Sequence, residues 1–414
     1  MKIIPLILLT IGSAWAQELP NPLRLDQALA LASKDNLSQQ QQQLDISHAQ
    51  LQLDSLDNLY NTNATLDLSL ASRSDYGAGT NNSHAFIYLK KTLFDQQIEI
   101  NKQAQLNQLS DKTSQLTQLQ HEKHIDIMRG FFDVVLADMA YETALEKLAM
   151  SAIREGRVKD DYDIGHASEV ALLEKQTNTQ LSQIERLKAE SIQIQSRAIL
   201  AQLLDLDYDQ RPDDVIKPSY SHLFKKPLAE FEVYQAKLGN NLKLKQLQQS
   251  LLALNTQISQ EKDNLGIVLS SNARLGDQAY QQDKNGHWRV GLNLSMPFGS
   301  DAKQANKITN LQIKAKQLKL DIKQHQHTIQ AQALEYYFTL KSLEQIQKAL
   351  LIELDYRDLY LEKARADYEM EIKSDIGNAM TNYTNSERKL AENEFNYVIT
   401  LKQLHHLIGG NYEI

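Results

Sequence analysis

The sequence predicts a mainly α-helical protein built from long antiparallel coiled-coil helices, with four β-strands per chain. Three observations support this fold class. Only 15 glycines and 7 prolines occur in 414 residues, so turns are scarce and the elements between them are long. The same order of elements recurs about 200 residues later along the chain. Short segments that alternate apolar and polar residues interrupt the helical pattern at corresponding places.

The N-terminus is predicted to be a secretory signal peptide, residues 1–16. Lys2 precedes an apolar run, and small residues occur at Ala14 and Ala16, before the expected cleavage site. The apolar run is far shorter than the ~20 residues that a membrane-spanning helix requires. We therefore expect the mature chain to be periplasmic, secreted, or inserted in a membrane through β-strands.

Composition excludes several classes of function. The net charge is -8, so the composition gives no electrostatic signal for nucleic-acid binding. No cysteine is present, so disulfides, zinc–thiolate sites and a lipidated N-terminal cysteine are excluded. His121 and His124 lie on one helical face, but no third ligand is placed beside them by the sequence, and surface histidines are expected. We predict no catalytic residue, no metal site and no cofactor, and hence a protein that is not an enzyme.

The mature chain is predicted to be a tandem duplication. Asn36-Leu37 matches Asn241-Leu242 at a shift of 205 positions (241 − 36). Phe94 matches Phe298 at a shift of 204 (298 − 94), and Asp161 matches Asp367 at a shift of 206 (367 − 161). These anchors give a first repeat at 17–207, a linker at 208–227 and a second repeat at 228–414.

Each repeat is predicted to contain a helix, two strands and two long helices. Scarce glycine and proline define the long helices, and period-two alternation defines the strands. A loop rich in Gly, Asn and Ser, 74–83, separates the first two strands. The predicted elements of the first repeat are the helix 23–59, the strands 64–73 and 85–94, and the helices 95–160 and 167–207. Those of the second repeat are the helix 228–260, the strands 265–275 and 288–298, and the helices 301–370 and 374–408.

Apolar residues seven apart, such as Ala333 and Leu340, recur along the long helices and predict narrow coiled-coil seams. The last strand is the most clearly two-faced. Its polar positions include Arg289, Asn293 and Ser295. In the preceding hairpin, we expect Phe86, Tyr88 and Phe94 on one side. The residues predicted to face lipid are Trp288, Val290, Leu292, Leu294, Met296 and Phe298.

Strands of about ten residues match the length of tilted transmembrane strands. A small soluble β-domain packed on the helices is the alternative. Four strands are too few to close a membrane barrel, which has at least ~8, and open strand edges are not tolerated in lipid. If the strands lie in a membrane, several copies of the chain must join to form one barrel.

Taken together, the signal peptide, the doubled helix–strand–strand–helix–helix unit and the stretch GHASEVALLE, from Gly165, resemble the outer-membrane efflux protein (TolC) family. The resemblance covers essentially the whole mature chain. It implies a homotrimer with a twelve-stranded β-barrel in outer-membrane lipid and a trimeric α-barrel tunnel across the periplasm. It also implies two partners, an inner-membrane transporter and a periplasmic adaptor (membrane fusion) protein, and no catalysis. The alternative function is a soluble periplasmic coiled-coil adaptor or scaffold protein.

The resemblance places the periplasmic tip at two turns between long helices. In the first, Tyr162, Gly165, Ser168 and Glu169 match the family pattern, which implies a surface that faces the adaptor. Gly165 also suits a tight helix reversal. Ser168 and Glu169 equally suit the start of a helix, so a capping role is the alternative for Ser168.

The second turn carries an acidic cluster and is predicted to form the periplasmic gate. In a trimer, a ring of carboxylates would favour cations. The family's gate position matches Asp375 best, and other spacings match Gly377 or Asn378. An exposed cluster that only aids solubility is the alternative. The candidate gate residues are Glu369, Glu371, Asp375 and Asn378.

Overall fold

The computed structural model describes residues 19–32, 37–75, 78–81, 83–207, 211–279, 287–298, 302–370 and 375–410. Over these ranges the chain is mainly helical with a four-stranded antiparallel sheet, which confirms the predicted fold class. The predicted signal peptide lies outside the described residues. In chain order the elements are α1 (Leu25–Ala32), α2 (Leu37–Asn58), β1 (Asn63–Ser69), β2 (Ser72–Asp75), β3 (Ala78–Asn81), β4 (His84–Asp95), α3 (Gln96–Asp163), α4 (Glu169–Leu203), α5 (Phe231–Gln235), α6 (Leu242–Lys262), β5 (Val268–Gln278), β6 (Trp288–Ser295), α7 (Ala302–Glu369) and α8 (Ile376–Leu407).

Long uninterrupted helices form where the sequence lacks proline and is poor in glycine. Helices α3 and α7 each have 68 residues. Along α7 the buried residues Ala333, Leu340, Gln347 and Leu361 are separated by multiples of seven positions. This spacing keeps one narrow stripe against the neighbouring helices, as in a coiled coil. The long helices and their heptad seams were therefore correctly predicted.

Several predicted elements differ from the structure. The strand predicted at 64–73 ends at Ser69, because the chain leaves the sheet there and a new strand, β2, begins at Ser72. The strand predicted at 265–275 runs instead from Val268 to Gln278. The segment 74–83, predicted as a loop, contributes to a hairpin in which β2 pairs with β3. The predicted helix 228–260 is interrupted, because the side chain of Asn241 caps a new helix by accepting a hydrogen bond from the Leu244 N–H at 2.9 Å. Strand β6 ends at Ser295 rather than at 298, since Pro297 has no N–H for a ladder hydrogen bond.

The first of two compact units contains residues up to Leu37 together with Gln120–Glu230 and Glu335–Leu404. Its core is aromatic. Phe131 and Phe132 on α3 and Phe395 on α8 are buried, and the rings of Phe132 and Phe395 stack with centroids 4.2 Å apart. Stacked aromatic rings of this kind add specific geometry to the burial of apolar area. This core fixes the position of α8 against α3.

The described part of the predicted linker packs on the same unit. Val215 pairs with Leu23 in a parallel bridge, and Leu23 is fully buried. The ring of Tyr220 meets Phe132 edge-on at 5.9 Å, and its backbone N–H donates to the buried carboxylate of Glu394 at 3.2 Å. A buried carboxylate needs hydrogen-bond donors, so this contact holds the segment in place.

The second compact unit contains Ser38–Leu119, Phe231–Leu334 and His405–Ile414, and it includes both sheets. Its helices share small apolar contacts, such as Ile258 with Leu311 and Ala315. Ion pairs add to these contacts, as between Lys112 on α3 and Asp45 on α2 at 2.8 Å. Among the described helices of both units, none is long and apolar enough to cross a membrane.

Candidate functional site

The four-stranded sheet places apolar side chains of all its strands on one face. The strand order is β1-β4-β5-β6, and every neighbouring pair is antiparallel. Leu66 pairs with Ile87, Ile87 with Leu275, and Leu275 with Trp288. Residues directly opposite one another lie on the same face of a sheet. The predicted lipid-facing residues of β6 therefore continue across the sheet into an apolar face made by all four strands.

A β-bulge in β4 changes the face on which Phe94 lies. The pairing with β5 shifts between Thr92 and Phe94, so that Phe94 pairs with Leu269. The extra residue reverses the alternation of side chains beyond it. Phe86 and Tyr88 consequently lie on the polar face, whereas Phe94 lies on the apolar face. The expectation that these three aromatic residues share one side was therefore wrong for Phe94, because sequence alternation alone does not reveal a bulge.

The apolar face is exposed in the single chain. Leu292 is 74 % exposed and Leu68 on β1 is 66 % exposed. Met296 and Phe298 follow the end of β6, and Phe298 is 88 % exposed. A contiguous apolar surface of this kind marks a site of contact with lipid or protein.

Both edges of the sheet are open among the described residues. β1 pairs only with β4 and β6 pairs only with β5, so each edge strand presents unpaired N–H and C=O groups. Such edges are templates for pairing with another strand. Because the strand directions alternate, β6 of one copy and β1 of a second copy can pair antiparallel and extend the same sheet.

The first helix turn is organised by Gly165. Its φ is +79°, and its N–H donates to the Tyr162 carbonyl at 2.9 Å, while the His166 N–H donates to the Asp161 carbonyl at 2.7 Å. A left-handed residue just after a helix lets these N–H groups satisfy its last carbonyls. Nothing lies within 4 Å of a Cβ added at Gly165, so the backbone angle, and not the space, favours glycine.

Ser168 is the N-cap of α4. Its hydroxyl accepts a hydrogen bond from the Ala171 N–H at 3.2 Å, and Glu169 follows in the first turn of the helix. The hydroxyl and the negative charge both satisfy the free N–H groups of a helix start. The capping role that the sequence offered as an alternative for Ser168 is therefore present in the structure.

The first turn also exposes apolar side chains that the sequence analysis did not select. Ile164 is 65 % exposed and Val170 is 77 % exposed, and Tyr162 beside them is exposed as well. Their type alone gives no signal, because apolar residues in a helical pattern are expected in a core. Only the turn geometry reveals that they point to solvent. We call Tyr162, Ile164 and Val170 the tip surface.

At the second turn, Glu369 and Asp375 are exposed and Glu371 lies outside the described residues. Asp375 is not an isolated carboxylate. Its side chain forms an ion pair with Arg154 on α3 and accepts a hydrogen bond from Asn378. Arg154 also donates to the Asn378 amide oxygen at 3.2 Å. Arg154 was missed by sequence analysis, because 221 positions separate it from Asp375 and no local pattern links them.

Close packing of α8 on α3 supports this ion pair. Gly377 lies where an added Cβ would come within 2.5 Å of Met150 Cε and 2.7 Å of its Cγ. Further along the same contact, the Thr384 hydroxyl donates to Glu146 at 3.3 Å. Burial raises the pKa of Glu146, the Thr384 hydrogen bond lowers it, and the nearby Glu142 and Glu387 carboxyls raise it further. The second turn is thus bound to the first helix hairpin by packing, an ion pair and hydrogen bonds. Among the described residues, no group of three His, Cys, Asp or Glu side chains could hold a metal ion.

The fold is shared with bacterial outer-membrane channels of known structure. The Campylobacter jejuni CmeC outer membrane channel matches with a TM-score of 0.76 and 14 % identity over 94 % of this chain and 86 % of that chain. The outer membrane protein VceC from Vibrio cholerae matches with a TM-score of 0.71 and 12 % identity over 94 % and 97 %. The open state of the Neisseria gonorrhoeae MtrE outer membrane channel matches with a TM-score of 0.70 and 13 % identity over 94 % and 89 %.

By sequence, no protein-family model and no curated protein matches this chain. The identities to the solved channels are low, so the likeness is one of fold. At that level the resemblance to the TolC family is confirmed, since the match extends over nearly the whole chain.

Proposed function

We propose that this chain is the outer-membrane channel of a tripartite efflux or type I export system. In this role it receives cargo from an inner-membrane transporter and a periplasmic adaptor (membrane fusion) protein and conducts it to the exterior. The chain would lie in the cell outer membrane and extend into the periplasm. The observation that carries the proposal is the exposed apolar face of the sheet, in a chain with the fold of outer-membrane channels.

Lipid is the environment that suits this face. Burying a large apolar side chain contributes about 1.5–3 kcal/mol, and the apolar face carries many such residues on four strands. The polar face, with Arg289 and Asn293, would meet water. A sheet with one face toward hydrocarbon and one toward water is typical of a membrane barrel that encloses a water-filled channel.

The open edges support assembly from several copies. Edge strands cannot remain unpaired in hydrocarbon, and the alternating strand directions allow β6 of one copy to join β1 of the next. Three copies of four strands would give the twelve-stranded barrel that the family resemblance implies. We therefore propose a homotrimer in which each chain supplies one third of the barrel.

We also propose roles for the two helix turns of the first unit. The tip surface, together with Gly165, Ser168 and Glu169, would dock the adaptor, because it exposes apolar side chains on a turn with a defined backbone. Glu369, Glu371, Asp375 and Asn378 would form the periplasmic gate. Arg154 would hold that gate closed through its ion pair with Asp375.

The repeated order of elements supports the proposed duplication. In each half, helical segments precede two strands of the main sheet and two long helices follow them. We propose a signal peptide at 1–16, repeats at 17–207 and 228–414, and a connecting segment at 208–227.

Detergent extraction tests the proposal against the alternative of a soluble periplasmic adaptor or scaffold. We expect the native protein to remain with the outer membrane, to migrate as a trimer before heating and as a monomer after it, and to open channels in planar bilayers. The apolar face predicts this result, because it has no partner within the described chain. A monomer that is stable in buffer without detergent would contradict the channel and favour the alternative.

A further inference from the structure

A cluster of three cations lies on the polar face of the four-stranded sheet. It consists of Lys90 on β4, Arg274 on β5 and Arg289 on β6, and we call it the basic patch. Arg274 and Arg289 are direct cross-strand partners. Lys90 pairs with Asn272, which lies two positions from Arg274 on the same face. Like charges directly opposite on neighbouring strands repel each other, so the sheet folds in spite of this patch.

No ion pair among the described residues neutralises the basic patch. The described strands of this sheet carry two carboxylates on the polar face, and both have other partners. Asp67 lies 3.4 Å from His84 Nε2, and Asp95 accepts hydrogen bonds from the N–H groups of Gln97 and Ile98 at the start of α3. The patch therefore presents positive charge to whatever fills the space beside the polar face.

Neighbouring residues leave the charged groups of the basic patch uncovered. The guanidinium of Arg274 lies 4.6 Å from the centre of the Phe86 ring, and Phe86 is buried on the polar face. Cation–π contact fixes the position of this charge without neutralising it. Gly291 follows Arg289 on the same face and has no side chain that could cover it. Arg289 itself is exposed.

We infer that the basic patch is an anion-attracting site that makes the membrane end of the channel selective for anions. The inference rests on the proposed function, in which the polar face lines a water-filled lumen and every copy contributes one patch. Rings of cationic side chains in a pore favour anions. Guanidinium groups bind carboxylate, phosphate and sulfate oxygens through paired hydrogen bonds. The membrane end of the channel would therefore concentrate cargo that carries carboxylate, phosphate or sulfate groups. The acidic gate, in contrast, would favour cations.

Ion selectivity in planar bilayers tests the inference. The reversal potential of the native protein is measured in a gradient of potassium chloride at an ionic strength of about 0.1 M or below, where the screening length is at least ~10 Å. We expect Arg289→Gln to lower the ratio of chloride to potassium permeability by about twofold, and the double variant Arg274→Gln with Arg289→Gln to lower it further. Arg289→Lys keeps the charge and should retain the native ratio.

Lys91→Gln is the matched control. It removes one positive charge from the same strand as Lys90, but Lys91 pairs with Ser271 on the opposite face of the sheet. We expect it to leave the selectivity unchanged. If Arg289→Gln did not change the permeability ratio, or changed it only as much as Lys91→Gln, the inference that the basic patch attracts anions would be wrong. The proposed channel function would still stand. A native protein that opens no channel at all would overturn the proposed function, and this inference with it.

Discussion

The helix turns find interaction partners for several of their polar groups within the chain, whereas the sheet does not find partners for its apolar face and its edges among the described residues. At the turns, Ser168 caps α4, Gly165 closes α3, and Arg154 pairs with Asp375, so these groups find partners within the chain. The sheet leaves a whole apolar face and two strand edges without partners in the described residues. A region that is incomplete requires a second environment, and we propose that lipid and further copies of the chain supply it.

The largest expected effect comes from charging the apolar face. Leu292→Arg places a guanidinium among residues that we propose to face hydrocarbon, which costs about 2–4 kcal/mol per chain near the bilayer midplane. We expect the heat-modifiable trimer in the outer membrane to be lost or strongly reduced. Electrophoresis of membrane extracts without and with heating measures the amount of trimer.

Asn293→Arg is the matched control, because Asn293 is the next residue on the same strand and lies on the polar face. It should assemble normally. Equal loss of trimer in both variants would mean that the two faces of the sheet do not meet different solvents, and the comparison between sheet and turns would fail.

An intermediate effect is expected where α8 packs on α3. Gly377→Ala introduces a Cβ within 3.0 Å of three Met150 side-chain atoms, so Met150 has to move. Overpacking of this kind typically costs about 1–3 kcal/mol. We expect a lower thermal midpoint of unfolding, measured by circular dichroism on the purified protein.

Gly156→Ala provides the control within α3. Nothing lies within 4 Å of a Cβ added at Gly156, so alanine should stabilise the helix by about 0.5–1 kcal/mol through its higher helix propensity. If Gly377→Ala raised the midpoint as much as Gly156→Ala, the close packing of the second turn on the first hairpin would be disproved.

The long helices and the alternating strands could be predicted from the sequence, whereas features that depend on residues distant in sequence could not. Period-two alternation located the apolar residues of β6, and scarce proline located the 68-residue helices. These signals are local. The bulge that moves Phe94 and the pair of Arg154 with Asp375 depend on chain segments that are distant in sequence. The cap at Asn241 was in principle readable, since asparagine favours helix starts, but the surrounding helical pattern masked it.

The smallest expected effect on stability, with a specific effect on conduction, comes from Arg154. Arg154→Gln removes the ion pair with Asp375, and both side chains are more than one third exposed, so the loss of stability should be only about 0.2–1 kcal/mol. The freed carboxylate, however, would add negative charge at the proposed gate. We expect a higher conductance and a stronger preference for cations in planar bilayers.

Lys147→Gln is the control for this last prediction, because Lys147 pairs with Glu185 and is similarly exposed, yet the pair joins α3 to α4 within the first hairpin. Lys147→Gln also removes one positive charge, but it leaves the contacts of the second turn unchanged. The conductance of this variant should therefore equal that of the native protein. Combining Arg154→Gln with Asp375→Asn should return the cation preference toward the native value, since the carboxylate that Arg154→Gln exposes is then absent. If the double variant kept the enhanced cation preference, Asp375 would not be the charge that Arg154 controls, and the gate would have to be assigned to other carboxylates of the second turn.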